Sequence, residues 1–402
     1  SFFNYMDRYM LAVLLPAIKA DLDLTDTQLG WITGLAFTLF YATLGIPIAR
    51  LADRYSRRRI IAAALAFWSL MTAACGLAQN FLQLLIARVL VGAGEAGASP
   101  PSHSLIADLF PARERGRALS VFALGAPVGI LVGFALGGWL VEQYSWRTAL
   151  FVVALPGMLL AVAALRRLPD PSRGALDGLT EPPAQISLSQ TFRALLGMPS
   201  FRQLALANGL YTVLWLGVVQ WLPSFFTRSF ALGIGEVALM LALVLSISQI
   251  MGMLAGGALA DRLGRRDLRW YLWLPALAIL FSTPIFAVTF TTASPTVAYL
   301  SLSLPFIIGI VQGPATFAVT QGIADVSMRA TAAALLLLIT NLIGGGIGPL
   351  SVGMLSDFWQ LRFGDDSLRY ALLAVALVFG SWSSLHYWLA ARSLRADFKS
   401  TV

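Results

Sequence analysis

The chain has 402 residues, of which 58% are hydrophobic and only 12% charged, with a mean hydropathy of +0.76. A soluble domain carries about 25% charged residues, so this composition excludes one and points to a polytopic membrane protein. The +8 net charge is then a matter of topology, not of nucleic-acid binding, and a single cysteine, Cys75, excludes an internal disulfide or a cysteine-cluster metal site.

Apolar runs predict twelve spans, at 1–20, 28–49, 60–79, 82–107, 117–141, 147–166, 202–225, 236–260, 270–292, 296–324, 329–356 and 368–391. The expected fold class is all-α integral membrane, in two six-helix bundles over 1–166 and 202–392. Between them, 167–201 is a polar linker: Pro169, Pro171, Pro182 and Pro183 with Asp170, Asp177 and Glu181 cannot span. Its second half, Ile186 to Leu196, is expected as a short interfacial helix with Phe192, Leu195 and Leu196 toward lipid. Residues 393–402 form a cytoplasmic tail. No cleavable signal peptide is visible, and the chain opens inside an apolar run at Ser1-Phe2-Phe3, so a longer native N-terminus is expected.

Of the 28 lysines and arginines, 21 fall in loops 2–3, 4–5, 6–7, 8–9 and 10–11 and the tail, and five on the opposite side. The positive-inside rule therefore puts both termini in the cytoplasm. Two arginines, Arg8 and Arg88, remain inside spans, and among the acids Asp7 and Glu95 do. A charge at the bilayer centre costs about 2.5–3.5 kcal/mol even on lenient scales, so these four need partners or a ligand. By helical rise, Asp7 and Arg8 lie ~18 Å and Glu95 ~20 Å below the outer end of their spans, whereas Arg88 lies only ~9 Å down.

The halves repeat. Ala49-Arg50-Leu51-Ala52-Asp53-Arg54-Tyr55-Ser56-Arg57-Arg58 after span 2 is echoed by Gly257-Ala258-Leu259-Ala260-Asp261-Arg262-Leu263-Gly264-Arg265-Arg266 after span 8, at an offset of 208. Ile106-Ala107-Asp108 and Ile323-Ala324-Asp325 match at an offset of 217. This pattern resembles the major facilitator superfamily, whose loop signature is G-x-L-A-D-R-x-G-R-R. Ala49 and Ser56 depart from its glycines, which is expected to loosen the first turn. Asn4-Tyr5-Met6-Asp7-Arg8 and Arg88-x-x-x-Gly92-x-Gly94-Glu95-Ala96 further resemble the Spinster branch, whose animal members are associated with export of lysophospholipids and sphingosine phosphate. The resemblance implies two bundles rocking about a midplane cavity by alternating access. The Ala- and Arg-rich, Lys-poor composition suggests a bacterial member in the inner membrane.

Two carboxylates facing one guanidinium in a low-dielectric cavity cannot both be cheaply ionised, which makes Asp7, Arg8 and Glu95 a candidate proton-coupling site. A static lock between spans 1 and 4 is the competing reading. Arg88 is left without an acidic partner and is the candidate for an anionic head group, against hydrogen bonding to Gln312 or Asn341. Tyr41, Tyr211, Trp215, Gln249, Gln312, Thr316 and Asn341 are candidates for the greasier remainder of the cavity, against ordinary helix packing. Asp53, Arg54, Arg57 and Arg58, with Asp261, Arg262, Arg265 and Arg266, form a candidate cytoplasmic gate as well as a topology signal. Glycines and Pro127 in span 5, and Gly344 to Pro349 in span 11, are expected to make the rocking interface pliant. Pro100-Pro101 should bend span 4 beyond Glu95.

There is no Walker loop, and no serine–histidine or metal-ligand pattern within a span, so the expectation is a monomeric transporter rather than an enzyme. No cofactor is expected beyond the proton as coupling ion, and no nucleic acid as partner. The expected partners are membrane lipid and an amphiphilic anion such as a lysophospholipid. A multidrug–proton antiporter and a non-transporting membrane sensor are the alternatives.

Overall fold

The computed structural model describes residues 1–171, 188–325 and 328–399, and all its regular structure among them is helical. Helix α1 (Phe2–Leu22) stops at Asp23, which takes the left-handed conformation (φ 50°) that a short polar side chain tolerates. A Thr25–Gln28 capping box then starts α2 (Asp26–Gly30), which runs through a π-helical turn (Trp31–Leu35) into α3 (Ala36–Arg54). There follow α4 (Arg57–Gly76), α5 (Phe81–Glu95), α6 (Ser99–Leu109), α7 (Ala112–Gln143) and α8 (Trp146–Arg167). Asn80 and Ser145 cap α5 and α8 by accepting from Gln83 and Thr148 backbone N–H groups. After α9 (Leu188–Gly197) come α10 (Pro199–Phe230), α11 (Ile234–Gly264), α12 (Trp270–Thr291), α13 (Pro295–Gly309) and α14 (Gln312–Ile323). The described chain closes with α15 (Arg329–Thr340), a second π-helical turn (Asn341–Gly345), α16 (Gly346–Phe363) and α17 (Ser367–Lys399).

These helices make the twelve predicted spans, but four are interrupted. Spans 2 and 11 each contain a π-helical turn, and spans 4 and 10 are each broken in two. Among the described residues, ten helical stretches are long and apolar enough to cross a membrane, the last of them, Thr331–Phe398, holding spans 11 and 12. Helix α1 is not among the ten, because any eighteen-residue window of it carries at least three charges, Asp7, Arg8 and Lys19. Helix α17 runs on through the predicted tail to Lys399.

The chain divides into two compact units, one of residues 1–182 with 222–227 and 231–242, the other of the rest. In the first, Leu11 to Leu15 of α1 are fully buried. Gly125, Gly129, Gly133 and Gly137, spaced by four on α7, lie against α1 so closely that added Cβ atoms would stand 2.6–2.9 Å from its atoms. The sequence assigns these glycines to a pliant interface; the structure uses them for close packing of two helices within one unit.

In the second unit, α17 is tied to α10 and α12 by Ser383 and Ser384, which donate to the carbonyls of Ala207 and Ala276 at 2.8 and 2.7 Å. Leu195 of α9 is fully buried in this unit's core with Phe201 and Leu272, and Phe192 packs against it. Two of the three side chains expected toward lipid thus face protein; only Leu196 is exposed. An amphipathic helix can bury its apolar face in lipid or in protein, and periodicity does not distinguish them. Ile186 and residues 172–187 generally lie outside the described residues.

Candidate functional site in the first unit

Asp7 and Arg8 are consecutive on α1 and therefore point about 100° apart around its axis. That angle sends them to different partners. Arg8 donates to Glu95 Oε2 from Nη2 at 2.7 Å and from Nε at 2.8 Å, and Asn4, one turn earlier, adds a 3.3 Å hydrogen bond to the same oxygen. All three contacts fall on Oε2. Oε1 is buried and has no hydrogen-bond partner among the described residues. Asp7 instead accepts from Arg88 Nη1 at 3.4 Å on Oδ2 and from the Thr72 hydroxyl at 3.3 Å on Oδ1.

The sequence reading leaves Arg88 unpaired and joins Asp7 to Arg8 and Glu95. The structure corrects this: there are two ion pairs, Arg8–Glu95 and Arg88–Asp7. Depth along the membrane carries no information about direction around the helix, and direction decides the pairing. Arg88, Asp7 and Glu95 are all nearly inaccessible, at 2%, 2% and 0% exposure, while the Arg8 side chain keeps 25%.

Local sequence explains the placement of Glu95. It is the last residue of α5; the chain turns at Ala96 to Ala98, and α6 restarts at Ser99 with Pro100 and Pro101 in its first turn. A small cavity of about 10 Å³, roughly one water's space, opens beside Asp7 among Trp68, Ser69 and Thr72 of α4 and Val153 and Gly157 of α8.

The other candidates separate into groups. Tyr41 lies with the first-unit charges, its ring 4.4 Å from the Arg8 guanidinium carbon. In the second unit Gln312 Oε1 accepts from Tyr387 at 2.8 Å and from Thr316 at 3.4 Å, and the Thr316 and Tyr387 hydroxyls are 2.8 Å apart. Tyr211 belongs to the same core as Tyr387, and Trp215 packs edge-on against Phe306. Gln249 Oε1 is buried without a hydrogen-bond partner among the described residues, and half-buried Asn341 opens the second π-helical turn. The sequence reading missed Asn4, Phe37, Thr72 and Tyr387. Asn4 had a signal, since it stands one turn before Arg8; the others come from different helices and had none.

The gate candidates differ between the two copies. The Asp53 side chain lies outside the described residues. Arg57, 1% exposed, bonds Asp108, Asp170 Oδ1 (3.3 Å), the Ser104 hydroxyl (3.2 Å) and the Pro171 carbonyl (2.6 Å), all in the first unit. Ser56 caps α4 by accepting from Arg59 N–H and donates to Asp170 Oδ2 at 2.6 Å. The departure from glycine therefore fastens the turn instead of loosening it. Burial works to raise the Asp170 pKa, but the hydrogen bonds from Ser56 and Arg57 outweigh it and hold the carboxyl below its usual range. Arg54 is exposed and Arg58 half-buried. In the second copy Arg262, Arg265 and Arg266 are exposed, and Asp261 accepts from the Tyr271 hydroxyl at 3.1 Å.

Residues 1–349 match the Major Facilitator Superfamily. The chain is 32% identical, over 98% of its own length and 91% of the relative's, to a protein of Mycolicibacterium smegmatis described as an MFS-type efflux pump. It is 28% identical to human protein spinster homolog 1, over 93% of this chain and 76% of that one. In structure it is similar to a bacterial homologue of the human lysosomal transporter Spinster, solved inward-facing and unoccupied, with a TM-score of 0.88, 28% identity, and coverage of 98% of this chain and 95% of that one.

Proposed function

The chain belongs to the Major Facilitator Superfamily and is a multi-pass, Spinster-like secondary transporter; from that premise we propose that it moves an amphiphilic anion, of the lysophospholipid or sphingosine-phosphate kind, in exchange with or alongside protons. The observation that carries this is the double ion pair. Glu95 gives one oxygen to Arg8 and Asn4 and keeps the other without a hydrogen-bond partner among the described residues, so that oxygen can take a proton while the contacts to Oε2 persist. A proton on Asp7 weakens its hold on Arg88, and the released guanidinium, with Nε already lacking a hydrogen-bond partner among the described residues, can fork onto a phosphate or carboxylate. Anion binding and proton uptake then favour each other, because each neutralises what the other leaves uncompensated.

Both termini are cytoplasmic in this reading, by the distribution of arginines, and the bundles 1–166 and 202–392 exchange access as a monomer. Tyr41 and the Gln312–Thr316 group, with Tyr211, Trp215, Gln249 and Asn341, would meet the less charged part of the substrate. The loop arginines serve as the cytoplasmic latch. The relative described as an efflux pump favours one second reading, export of amphiphilic drugs against protons.

Proteoliposomes under an imposed pH gradient, offered lysophospholipid, sphingosine phosphate and a cationic dye in turn, test the proposal. Anion transport lost in Arg88→Ala and uncoupled from pH in Glu95→Gln is the expected result. Unchanged proton coupling in Glu95→Gln refutes the proton site, and normal affinity in Arg88→Ala refutes the head-group role. Transport of the dye alone, indifferent to Arg88, selects the efflux reading.

A further inference from the structure

One ring stands between the two ion pairs. The Arg8 guanidinium carbon lies 4.5 Å from the Phe37 ring centroid, and the Arg88 guanidinium carbon lies 5.2 Å from it. Both are within the roughly 6 Å over which a cation is attracted to an aromatic face. Phe37 is 4% and Arg88 2% exposed, so their interaction is little screened by water, while Arg8, a quarter exposed, is screened more. Tyr41, one turn along α3 and stacked with Phe37 at 5.7 Å, touches only Arg8 in this way. Phe37 is therefore the aromatic ring shared by both cations among the described residues.

Two further features bring it there. The π-helical turn Trp31–Leu35 ends two residues before Phe37, and its wider winding resets the direction of every side chain that follows in span 2. Gly92 on α5 then permits the approach, since an added Cβ would overlap the Phe37 carbonyl oxygen and lie 3.1 Å from its carbon. Arg88 stands one turn before Gly92 and Glu95 nearly one turn after it, so the contact point on α5 is centred between the two charges.

We propose that Phe37 is a positioning residue of the site, its one ring holding Arg8 and Arg88 in place when a paired carboxylate takes up a proton. A guanidinium that loses its carboxylate in a dry site is otherwise left uncompensated, and the π face supplies an attraction that no proton can remove. The inference deepens the proposed function in that it gives the ion pairs a shared support, but the ring's hold on the arginines can be measured without any substrate.

The test replaces Phe37 in the full-length chain by 4-fluoro-, 3,5-difluoro- and 3,4,5-trifluorophenylalanine, which drain the ring's electron density at nearly constant shape. Thermal unfolding of the purified protein in detergent should fall stepwise, by about 2–4 °C across the series. The same series in an Arg8→Gln/Arg88→Gln background should be flat. If that double variant does not fold, Arg8→Gln alone should reduce the slope by about half. A flat series in the native background, or equal slopes with and without the arginines, overturns the proposal and makes Phe37 an ordinary core aromatic. Retained proton coupling in Glu95→Gln would instead overturn the proton reading and leave this slope unaffected, so the two failures are distinguishable.

Discussion

Gly133→Ala is the most local test of how α1 is held. A Cβ at Gly133 would stand 2.7 Å from the Met6 carbonyl oxygen, 3.2 Å from Met6 Cα and 3.3 Å from Met10 N. The first distance falls about 0.7 Å short of the 3.4 Å at which ordinary contact begins. The obstacle is backbone, so no rotamer change relieves it; α1 and α7 must part. Overpacking of this kind costs about 1–3 kcal/mol, against a gain of about 0.5–1 kcal/mol from replacing a helical glycine by alanine. The net loss is about 0–2.5 kcal/mol, centred near 1 kcal/mol. Gly116, on the same helix with nothing within 4 Å of its added Cβ, is the control and should gain the propensity term alone. Thermal unfolding in detergent should then move in opposite directions for the two substitutions. Because the Met6 carbonyl immediately precedes Asp7, and the Arg88–Asp7 contact is already 3.4 Å long, Gly133→Ala should also weaken that pair and lower transport. A Gly133→Ala protein that melts at or above the wild type, as Gly116→Ala should, refutes the close approach of the two helices.

Other outcomes follow from the same geometry. Arg57→Ala strips partners from Asp108 and Asp170 and should destabilise by about 3–5 kcal/mol, measurable as loss of folded protein on size-exclusion melting; Arg57→Lys should rescue little, because a single ammonium cannot reach four acceptors in different directions. Ser56→Gly restores the family signature but should lower stability by about 1 kcal/mol, through the lost cap and the lost bond to Asp170; a stabilised variant would contradict the capping role. Asp267, held down to about 2 by hydrogen bonds from Arg269 and by its contact with Arg395 at 2.8 Å, contributes above its unfolded value and loses that contribution as pH falls through about 2. Hydrogen exchange near Arg395 should therefore be unchanged by pH between about 5 and 8 once corrected for intrinsic rates, and faster at every pH in Asp267→Asn.

Twelve spans were legible in the sequence because a lipid-spanning helix needs about twenty apolar residues, and that requirement is one-dimensional. A bend beyond Glu95 was legible too, since Pro100-Pro101 removes backbone donors at a known place, although the helix breaks outright just before them, at Ala96 to Ala98. The π-helical turns were not: Trp31–Leu35 and Asn341–Gly345 have no composition that distinguishes them from α-helix. Nor were the partners of Asp7 and Arg8, which depend on how α4 and α5 are arranged around α1. Hydropathy reports depth and leaves azimuth open. A different ambiguity concerns Leu195: periodicity marks an apolar face without saying whether lipid or protein covers it, and here it is protein.

The repeat shows where the chemistry of the two units parts. An offset of 217 residues, which carries Asp108 onto Asp325, also carries Glu95 onto Gln312. Both spans break close to this position, but on opposite sides of it: α5 ends at Glu95, whereas α13 ends at Gly309 and α14 begins at Gln312. The chemical difference is the charge. Glu95 meets a guanidinium, whereas Gln312 meets the Tyr387 and Thr316 hydroxyls in a group with no net charge. An amide is nearly isosteric with a carboxylate but cannot carry a proton between charge states, so the second unit keeps the joint in the helix without the titratable group. On the proposed function this asymmetry confines proton exchange to the first unit and leaves the second to hydrogen-bond a neutral or weakly polar part of the substrate. Gln312→Glu, which would place a second acid at the equivalent joint, should then add a pH dependence to transport that wild type lacks, and it should do so even when Glu95 is replaced by Gln.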